Sequence, residues 1–255
     1  MKQPHTVHTF DQDLEKLDTN ILRGFELVER LVRDAVTAIT RFDLQLADQV
    51  VRRDGEIDKL DMEIEMDVVR ILALRAPMAE DLRRVLGALK VSVELERIGD
   101  LGKNLAKRVP VLAQHPLPEA IGGLLAMARL VQDQLDRMNS AWADKDPRLA
   151  MQVWFGDEAV DALYDSFFRD LLTHMMESPR NISSCTHLLF IAKNLERIGD
   201  HITNIAENLY FIDSGCQLED CRPKGDETFR ASVTPASAFT PRSMETGPTD
   251  PEVPD

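Results

Sequence analysis

The residues best suited to chemistry lie in two copies of the hexapeptide LERIGD, which are one hundred residues apart. Each copy places a glutamate and an aspartate four residues apart, Glu96 with Asp100 and Glu196 with Asp200. On an α-helix such a pair lies on one face, about one turn apart, where like charges repel each other. Each copy also contains a glycine, which costs about 1 kcal/mol relative to alanine inside a helix. Because both copies accept both costs, we expect the acid pairs to have a function.

Two further acid pairs have the same spacing and precede the LERIGD copies, one pair in each half of the chain. In an antiparallel helical hairpin, residues at equal distances from the turn lie at the same height. Counted from turns near Ala76 and Ser178, each earlier pair lies level with a LERIGD pair to within two residues. The count fixes the height of these residues, whereas the direction of each helix face stays open. We therefore predict two clusters of four carboxylates: Asp54, Asp58, Glu96 and Asp100 in the first half, and Asp157, Asp161, Glu196 and Asp200 in the second.

Four carboxylates at close range favour either protonation or a bound cation. Carboxylate oxygens suit hard cations and iron, whereas zinc usually prefers histidine or cysteine but accepts carboxylates. Asn104 and Asn204 lie one turn beyond Asp100 and Asp200, where an amide could add a ligand or a supporting hydrogen bond. We therefore predict that the clusters hold divalent or trivalent metal ions, with iron, zinc, manganese and magnesium as candidates.

Two other interpretations compete with a metal-binding regulator. The acids could form a solvated face, and the protein would then be a metal-free helical adaptor that binds basic residues of a partner. A diiron carboxylate enzyme fits less well, because such bundles use Glu-x-x-His on two helices. None of the six histidines has an acid three residues before it, and we predict that the protein is not an enzyme. His201, which follows Asp200, is interpreted as a surface histidine rather than a ligand.

Apolar residues recur with a helical period through most of the chain, and proline-containing breaks divide it into six predicted helices. These helices span about residues 8–40, 44–75, 77–109, 117–142, 147–176 and 179–213. Because amphipathic helices must bury their apolar stripes, we predict an all-α fold of two similar three-helix bundles, residues 1–112 and 113–213.

The ends of several helices, and the end of the chain, have local signals of their own. Pro77, Pro147 and Pro179 are expected in first helical turns, with Asp146 and Ser178 as N-caps. Residues 214–255 contain six of the 13 prolines, few large apolar residues and no period, so we predict a disordered tail.

The overall composition also limits the class of function. A net charge of −14 disfavours nucleic-acid binding, because phosphodiester backbones repel an acidic surface. No stretch approaches the roughly 20 apolar residues of a membrane span, and the N-terminus lacks the apolar run of a signal peptide. We expect a cytoplasmic protein without direct membrane insertion, whose three cysteines are reduced.

Three features of the sequence resemble the PhoU family of phosphate-specific transport system accessory proteins. They are the paired LERIGD copies, DGEIDKLDMEIEMDVVRILALRAPMAEDLRRV in the first half and DEAVDALYDSFFRDLLTHMMESPRNI in the second. The resemblance covers about residues 8–213. It implies two similar three-helix bundles, and it implies iron or zinc clusters held by the same four acid pairs.

The resemblance also implies a function and partners. PhoU proteins are negative regulators of the phosphate-starvation response that modulate phosphate uptake. They link the phosphate ABC transporter, through its ATPase subunit, to a sensor histidine kinase, which would place this protein at the inner membrane through its partners. The sequence leaves open whether the protein forms a homo-oligomer. The long, proline-rich tail departs from the family pattern, so the family's C-terminal contacts are not transferred to this chain.

Overall fold

The computed structural model describes residues 4–114 and 121–218, with side chains from Phe10 onward. Within these ranges the chain forms eight α-helices and one turn of 3-10 helix, and no strand. The elements are α1 (Pro4–Arg41), α2 (Leu44–Arg75), α3 (Glu80–Ala106), α4 (Val109–Leu112), α5 (Ile121–Asp144), α6 (Pro147–Gly156), α7 (Glu158–Glu177), the 3-10 turn Pro179–Asn181 and α8 (Ile182–Ser214).

The long helices form two three-helix bundles, which confirms the predicted fold. Helices α1, α2 and α3 pack on one another in the first half of the chain. In the second half α5 and α8 pack with α6 and α7, which together take the place of α2. The two bundles meet along α3 and α8, with α1 against α5, and their buried apolar residues form one continuous core.

Aspartates start the corresponding helices of the two bundles. The side chain of Asp43 accepts hydrogen bonds from the backbone N–H groups of the second and third residues of α2. Asp146 does the same for α6, with Pro147 at the first helical position, so the predicted cap is confirmed. Such caps satisfy backbone donors that have no partner inside the helix.

The two turns that lead into α3 and α8 differ from the prediction. Ala76 and Ala79 have positive φ angles of 44° and 50°, and the chain turns through Pro77 before α3 begins at Glu80. Ser178 makes no side-chain cap, and Pro179 begins a 3-10 turn instead of α8. The prediction of these two helix starts was therefore wrong by about one turn.

The predicted helix 147–176 is divided at Asp157, between α6 and α7. The last residues of α6 are Trp154, Phe155 and Gly156, and together with Asp157 they form a run of weak helix formers. The matching stretch of α2 contains two arginines, which are good helix formers, and continues without a break.

The last helix of each predicted unit, α3 in the first and α8 in the second, ends differently from the prediction. Helix α3 ends at Ala106 rather than near Val109, and Pro110 lies inside the short helix α4. Helix α8 ends at Ser214, Gly215 caps it with a positive φ of 73°, and Leu218 then packs against the core. The predicted disordered tail, residues 214–255, was therefore wrong for residues 214–218, and residues 219–255 lie outside the described residues. None of the described helices is both long enough and apolar enough to cross a membrane.

A polar cluster joins the two bundles where α3 meets α8. Glu94 on α3 lies 2.6 Å from the Nδ1 atom of His201, and it accepts a hydrogen bond from the side-chain amide of Asn204 at 3.2 Å. His201 is therefore a partly buried residue of the contact between the bundles, and its interpretation as a surface histidine was wrong.

Candidate functional site

The glycines of the two LERIGD copies face aspartates on the neighbouring helix. A Cβ atom built on Gly99 would lie 3.3 Å from Oδ1 of Asp54, and one built on Gly199 would lie 2.4 Å from Oδ1 of Asp157. The second distance is shorter than any ordinary contact, so only glycine admits the carboxylate there. The glycine therefore allows close approach of a carboxylate to the helix backbone, which explains why both copies accept its cost.

The register of the two hairpins agrees with the heights counted from the sequence. Asp54 lies against Gly99, next to Asp100. The charge of Asp58 acts on Glu96 one turn away, and that of Asp161 acts on Glu196. The structure thus brings the acids of each half together across one helix pair.

A lysine lies inside the first cluster. The ammonium group of Lys103 donates hydrogen bonds to Oδ2 of Asp54 and to Oδ1 of Asp100, each at 2.5 Å. Asp54 is buried, with 3% of its surface exposed, whereas Asp58, Glu96 and Asp100 are partly exposed. The first cluster therefore contains a positive charge of its own between two of its four acids.

Burial and repulsion between like charges both shift the pKa values of acids in the first cluster. Burial raises the pKa of Asp54, although the hydrogen bond from Lys103 opposes the shift. Burial also raises the pKa of Glu96, and the charges of Asp100 and Asp58 add to it. Burial lowers the pKa of Lys103, but its bonds to the two aspartates outweigh that effect and raise the value, so the lysine stays charged.

The second cluster is more deeply buried and is neutralised differently. Asp157, Asp161 and Glu196 have only 1%, 3% and 5% of their surface exposed. Position 203, which matches Lys103 in the repeat, is a threonine whose hydroxyl donates to a backbone carbonyl. This cluster therefore lacks the equivalent of the Lys103 ammonium.

Two side chains outside the acid pairs contact the second cluster. Gln134 donates its amide to Oδ1 of Asp157 at 3.3 Å, and Lys193 donates to Oε1 of Glu196 at 2.8 Å. Burial raises the pKa of Glu196, Lys193 opposes the shift, and the charges of Asp200 and Asp161 add to it. The remaining carboxylate oxygen of Glu196 is buried without a hydrogen-bond partner.

The residues described by the structure contain no group of three Asp, Glu, His or Cys side chains already arranged as metal ligands. The structure also places the amide of Asn204 on Glu94, at the contact between the bundles, rather than on Asp200. Asn104 is partly buried on α3. The buried carboxylates of the two clusters can be neutralised by a lysine ammonium group or by a cation that binds from solution.

Sequence reasoning missed Lys103, Lys193 and Gln134, three polar side chains that contact the acids. Lys103 follows Asp100 by three residues, and Lys193 precedes Glu196 by three, so helical spacing alone could have indicated both contacts. The contact between Lys103 and Asp54 joins residues on different helices, as does the contact from Gln134 to Asp157. Only the packed bundle indicates these two.

Comparisons with known proteins find the same family in both halves of the chain. The profile of the PhoU domain matches residues 21–109 and 124–209. Each stretch lies inside one of the predicted units, whose outer boundaries stay a prediction. The described residues and the two matched stretches thus agree on an internal repeat.

Curated relatives match nearly the whole chain. A phosphate-specific transport system accessory protein PhoU homolog of Rhizobium meliloti is 44% identical over 89% of this chain and 97% of its own length. A PhoU homolog of Caulobacter vibrioides is 45% identical over 87% of this chain and 97% of its own length. Both relatives are named accessory proteins, which agrees with the prediction that this chain is not an enzyme.

Solved structures match the fold. The crystal structure of PhoU from Pseudomonas aeruginosa superimposes with a TM-score of 0.79 at 36% identity, covering 81% of this chain and all of the other. PhoU from Streptococcus pneumoniae, described as a phosphate transport system regulatory protein, gives 0.77 at 28% identity over 82% of this chain and 99% of its own. The predicted resemblance is therefore confirmed, and the chain belongs to the PhoU family.

Proposed function

We propose that this protein is a non-enzymatic accessory protein of a phosphate-specific transport system. In this role it would act as a negative regulator of the phosphate-starvation response. It would modulate phosphate uptake by linking the ATPase subunit of the phosphate ABC transporter to a sensor histidine kinase.

The observation that carries this proposal is the match of both repeats to the PhoU domain, together with relatives that are matched over 97% of their own length. The fold supports a scaffold role, because two bundles with one continuous core form a rigid body that can contact two partners. The net charge of −14 favours partner surfaces that are basic.

Deletion of the gene in the source bacterium tests the regulatory role. We expect a reporter of a phosphate-starvation promoter to become active in phosphate-rich medium, and we expect the full chain supplied in trans to silence it again. A deletion strain that represses the reporter as well as the parent would contradict negative regulation.

A pull-down tests the link between transporter and kinase. Purified full-length protein should bind both the ATPase subunit and the cytoplasmic part of the kinase. Binding to neither protein would remove the proposed link while leaving the family assignment untouched.

We propose in addition that the second carboxylate cluster is the better metal site. Asp157, Asp161, Glu196 and Asp200 fit a cation, because Oε2 of Glu196 is buried without a hydrogen-bond partner, although Lys193 contacts the other oxygen, and because the position that matches Lys103 is a threonine. A bound cation would neutralise these acids and hold α7 to α8.

The first cluster fits a cation less well. Oδ1 of Asp54 is also buried without a hydrogen-bond partner. Asp54, Asp58, Glu96 and Asp100 could nevertheless hold a cation only in competition with the ammonium group of Lys103, which already contacts two of them. This observation favours the metal-free adaptor for the first bundle, where partly exposed acids could instead contact a basic partner.

Metal content measured by elemental mass spectrometry separates these possibilities. We compare the tag-free protein with two variants of matched design, Glu96→Gln with Asp100→Asn and Glu196→Gln with Asp200→Asn. Exposed acids provide the control, Glu63→Gln with Glu65→Gln. We expect bound iron, zinc or manganese to be lost in the second-cluster variant and to persist in the other two.

Lys103→Thr, which copies position 203, should allow the first cluster to bind a further equivalent. Absence of metal from every variant and from the parent protein, purified without chelators, would leave the metal-free adaptor as the function of both clusters.

A further inference from the structure

The outward side of α2 carries large apolar side chains that the bundle does not use. Met62, Met66 and Val69 have 60%, 64% and 60% of their surface exposed. Their spacing of four and three residues places them in one stripe along the helix. This stripe lies on the opposite side of α2 from its buried residues Ile64, Val68 and Ile71.

Helix α3 carries two exposed apolar side chains at the same height. The hydroxyl of Ser92 donates to Asp61 at 2.6 Å, which sets the register of the antiparallel pair. In this register the exposed Leu86 and Val93 of α3 lie level with the stretch of α2 that carries the stripe. We call Met62, Met66, Val69, Leu86 and Val93 together the α2–α3 apolar face.

The internal repeat provides a comparison for this face. In the second bundle the positions that match Met62 and Met66 are Asp165, which is buried, and Arg169, and these two form an ion pair at 3.9 Å. The position that matches Val69 is Leu172. The positions that match Leu86 and Val93 are Thr186 and Lys193. The same fold therefore accepts Arg169, Thr186 and Lys193 where the first bundle has Met66, Leu86 and Val93, so these three apolar side chains are not needed to build it.

The surroundings of the face contain more acids than bases, although Lys59 and Arg70 are exposed beside the α2 stripe and Arg70 forms an ion pair with Asp67. Glu63 and Glu65 are exposed on either side of the α2 stripe, and the partly exposed Asp58 and Asp61 continue the acidic rim toward α3. A second copy docking through the same face would bring these acids against themselves, because a two-fold interface pairs identical patches. An anionic membrane surface would be repelled for the same reason.

We propose that the α2–α3 apolar face docks a basic amphipathic helix of a partner protein. Apolar side chains of that helix would contact the methionines, whose flexible thioethers adapt to different partners. Lysines and arginines beside the apolar stripe of the partner would lie against Glu63, Glu65 and Asp61. The proposal rests on the accessory function proposed above, but it requires no metal ion.

A designed peptide tests the face without any natural partner, so that failure here leaves the proposed regulatory function standing. The probe is a fluorescein-labelled peptide of about 18 residues with leucines at helical spacing and lysines elsewhere. A peptide with glutamates in place of the lysines is the control. Fluorescence anisotropy measures the binding of each peptide to the full-length protein.

The apolar contribution is removed with Met62→Ser, Met66→Ser and Val69→Ser in one variant. A matched variant carries Phe155→Ser and Met176→Ser, whose side chains are 58% and 54% exposed on the second bundle. We expect the triple variant to bind the lysine peptide at least tenfold more weakly, and the matched variant to bind within twofold of the parent. Since all five side chains are exposed, both variants should keep the circular dichroism spectrum of the parent.

The acidic contribution is removed with Glu63→Gln and Glu65→Gln, which we expect to weaken binding several-fold and to reduce its dependence on salt. Equal binding of the glutamate peptide, or equal loss in the matched variant, would overturn the proposal. Two other results would assign the face to a different occupant and overturn it as well. One is a dimer in sedimentation that the triple variant dissociates, and the other is binding to phosphatidylglycerol vesicles that the triple variant loses.

Discussion

Alanine at Gly199 tests most directly whether the LERIGD glycine exists to admit a carboxylate. The added Cβ would lie 2.4 Å from Oδ1 of Asp157, which is buried and accepts a hydrogen bond from Gln134. The carboxylate cannot stay where it is, so either Asp157 or the spacing between the helices must change. Gly55, in the middle of α2, has no atom within 4 Å of the corresponding Cβ position and provides the matched control.

The two substitutions should have different effects on stability. Alanine in place of glycine inside a helix gains about 1 kcal/mol, which is the full effect expected for Gly55→Ala. At Gly199 the same gain is offset by overpacking, which costs about 1–3 kcal/mol in a close-packed interior. Gly199→Ala should therefore be less stable than Gly55→Ala by about 1–3 kcal/mol, or by roughly 2–12 °C in melting temperature for a chain of this size. Gly99→Ala should lie between them, because its Cβ meets the terminal methyl group of Ile57 at 2.8 Å.

Thermal and urea unfolding are measured with a chelator present, so that metal binding does not contribute to stability. The double variant Asp157→Ala with Gly199→Ala supplies the decisive control. Once the carboxylate is gone, alanine at position 199 should regain its helical advantage, and the two substitutions should not be additive. If Gly199→Ala stabilises the protein as much as Gly55→Ala does, or if the cycle is additive, the close approach of Asp157 to α8 is refuted.

Three further predictions concern ion pairs and hydrogen bonds. Lys103→Thr leaves the buried Asp54 without its ammonium partner and should lower the free energy of unfolding by about 1–3 kcal/mol. The control is Lys59→Thr at an exposed position, which should have no such effect in the same urea titration. Burial raises the pKa of Glu29, although a hydrogen bond from Asn139 opposes the shift, so the folded protein binds this proton more tightly than the unfolded chain and loses stability as the pH rises. The melting temperature of Glu29→Gln should therefore rise relative to the parent between pH 4 and pH 7, and a difference independent of pH would contradict this assignment. Glu94→Ala removes the contacts of one carboxylate with His201 and Asn204. It should destabilise the protein by about 1–2 kcal/mol and speed amide hydrogen exchange where α3 meets α8. Unchanged exchange there would contradict a role of Glu94 in joining the bundles.

The helical content and the repeat could be predicted because they depend on local patterns. Apolar residues at helical spacing indicated the long helices, and the Asp146–Pro147 pair marked the start of α6. Helix ends were predicted less well where the backbone leaves the helical region for tertiary reasons. The positive φ angles of Ala76 and Ala79 have no signal in their residue type, since alanine is a good helix former.

The heights of the acid pairs were predicted correctly because helical rise is constant and both hairpins have short turns. The partners of those acids were not, because a contact such as Lys103 with Asp54 depends on the rotation of one helix against another. The sequence indicated two equivalent clusters. The structure shows that the ammonium group of Lys103 bridges two acids of the first cluster, whereas the second cluster is more deeply buried and Lys193 contacts its Glu196.

Local sequence alone determined that this protein is a repeated helical bundle with eight acids at matched heights, since periodicity and spacing need no knowledge of packing. Only the tertiary structure decided why each copy of LERIGD needs its glycine, because the reason is a carboxylate on another helix. It also decided which apolar residues are buried and which form the α2–α3 apolar face. Helical spacing places Met66 and Ile64 on different sides of α2, but only the positions of α1 and α3 determine which side faces the solvent.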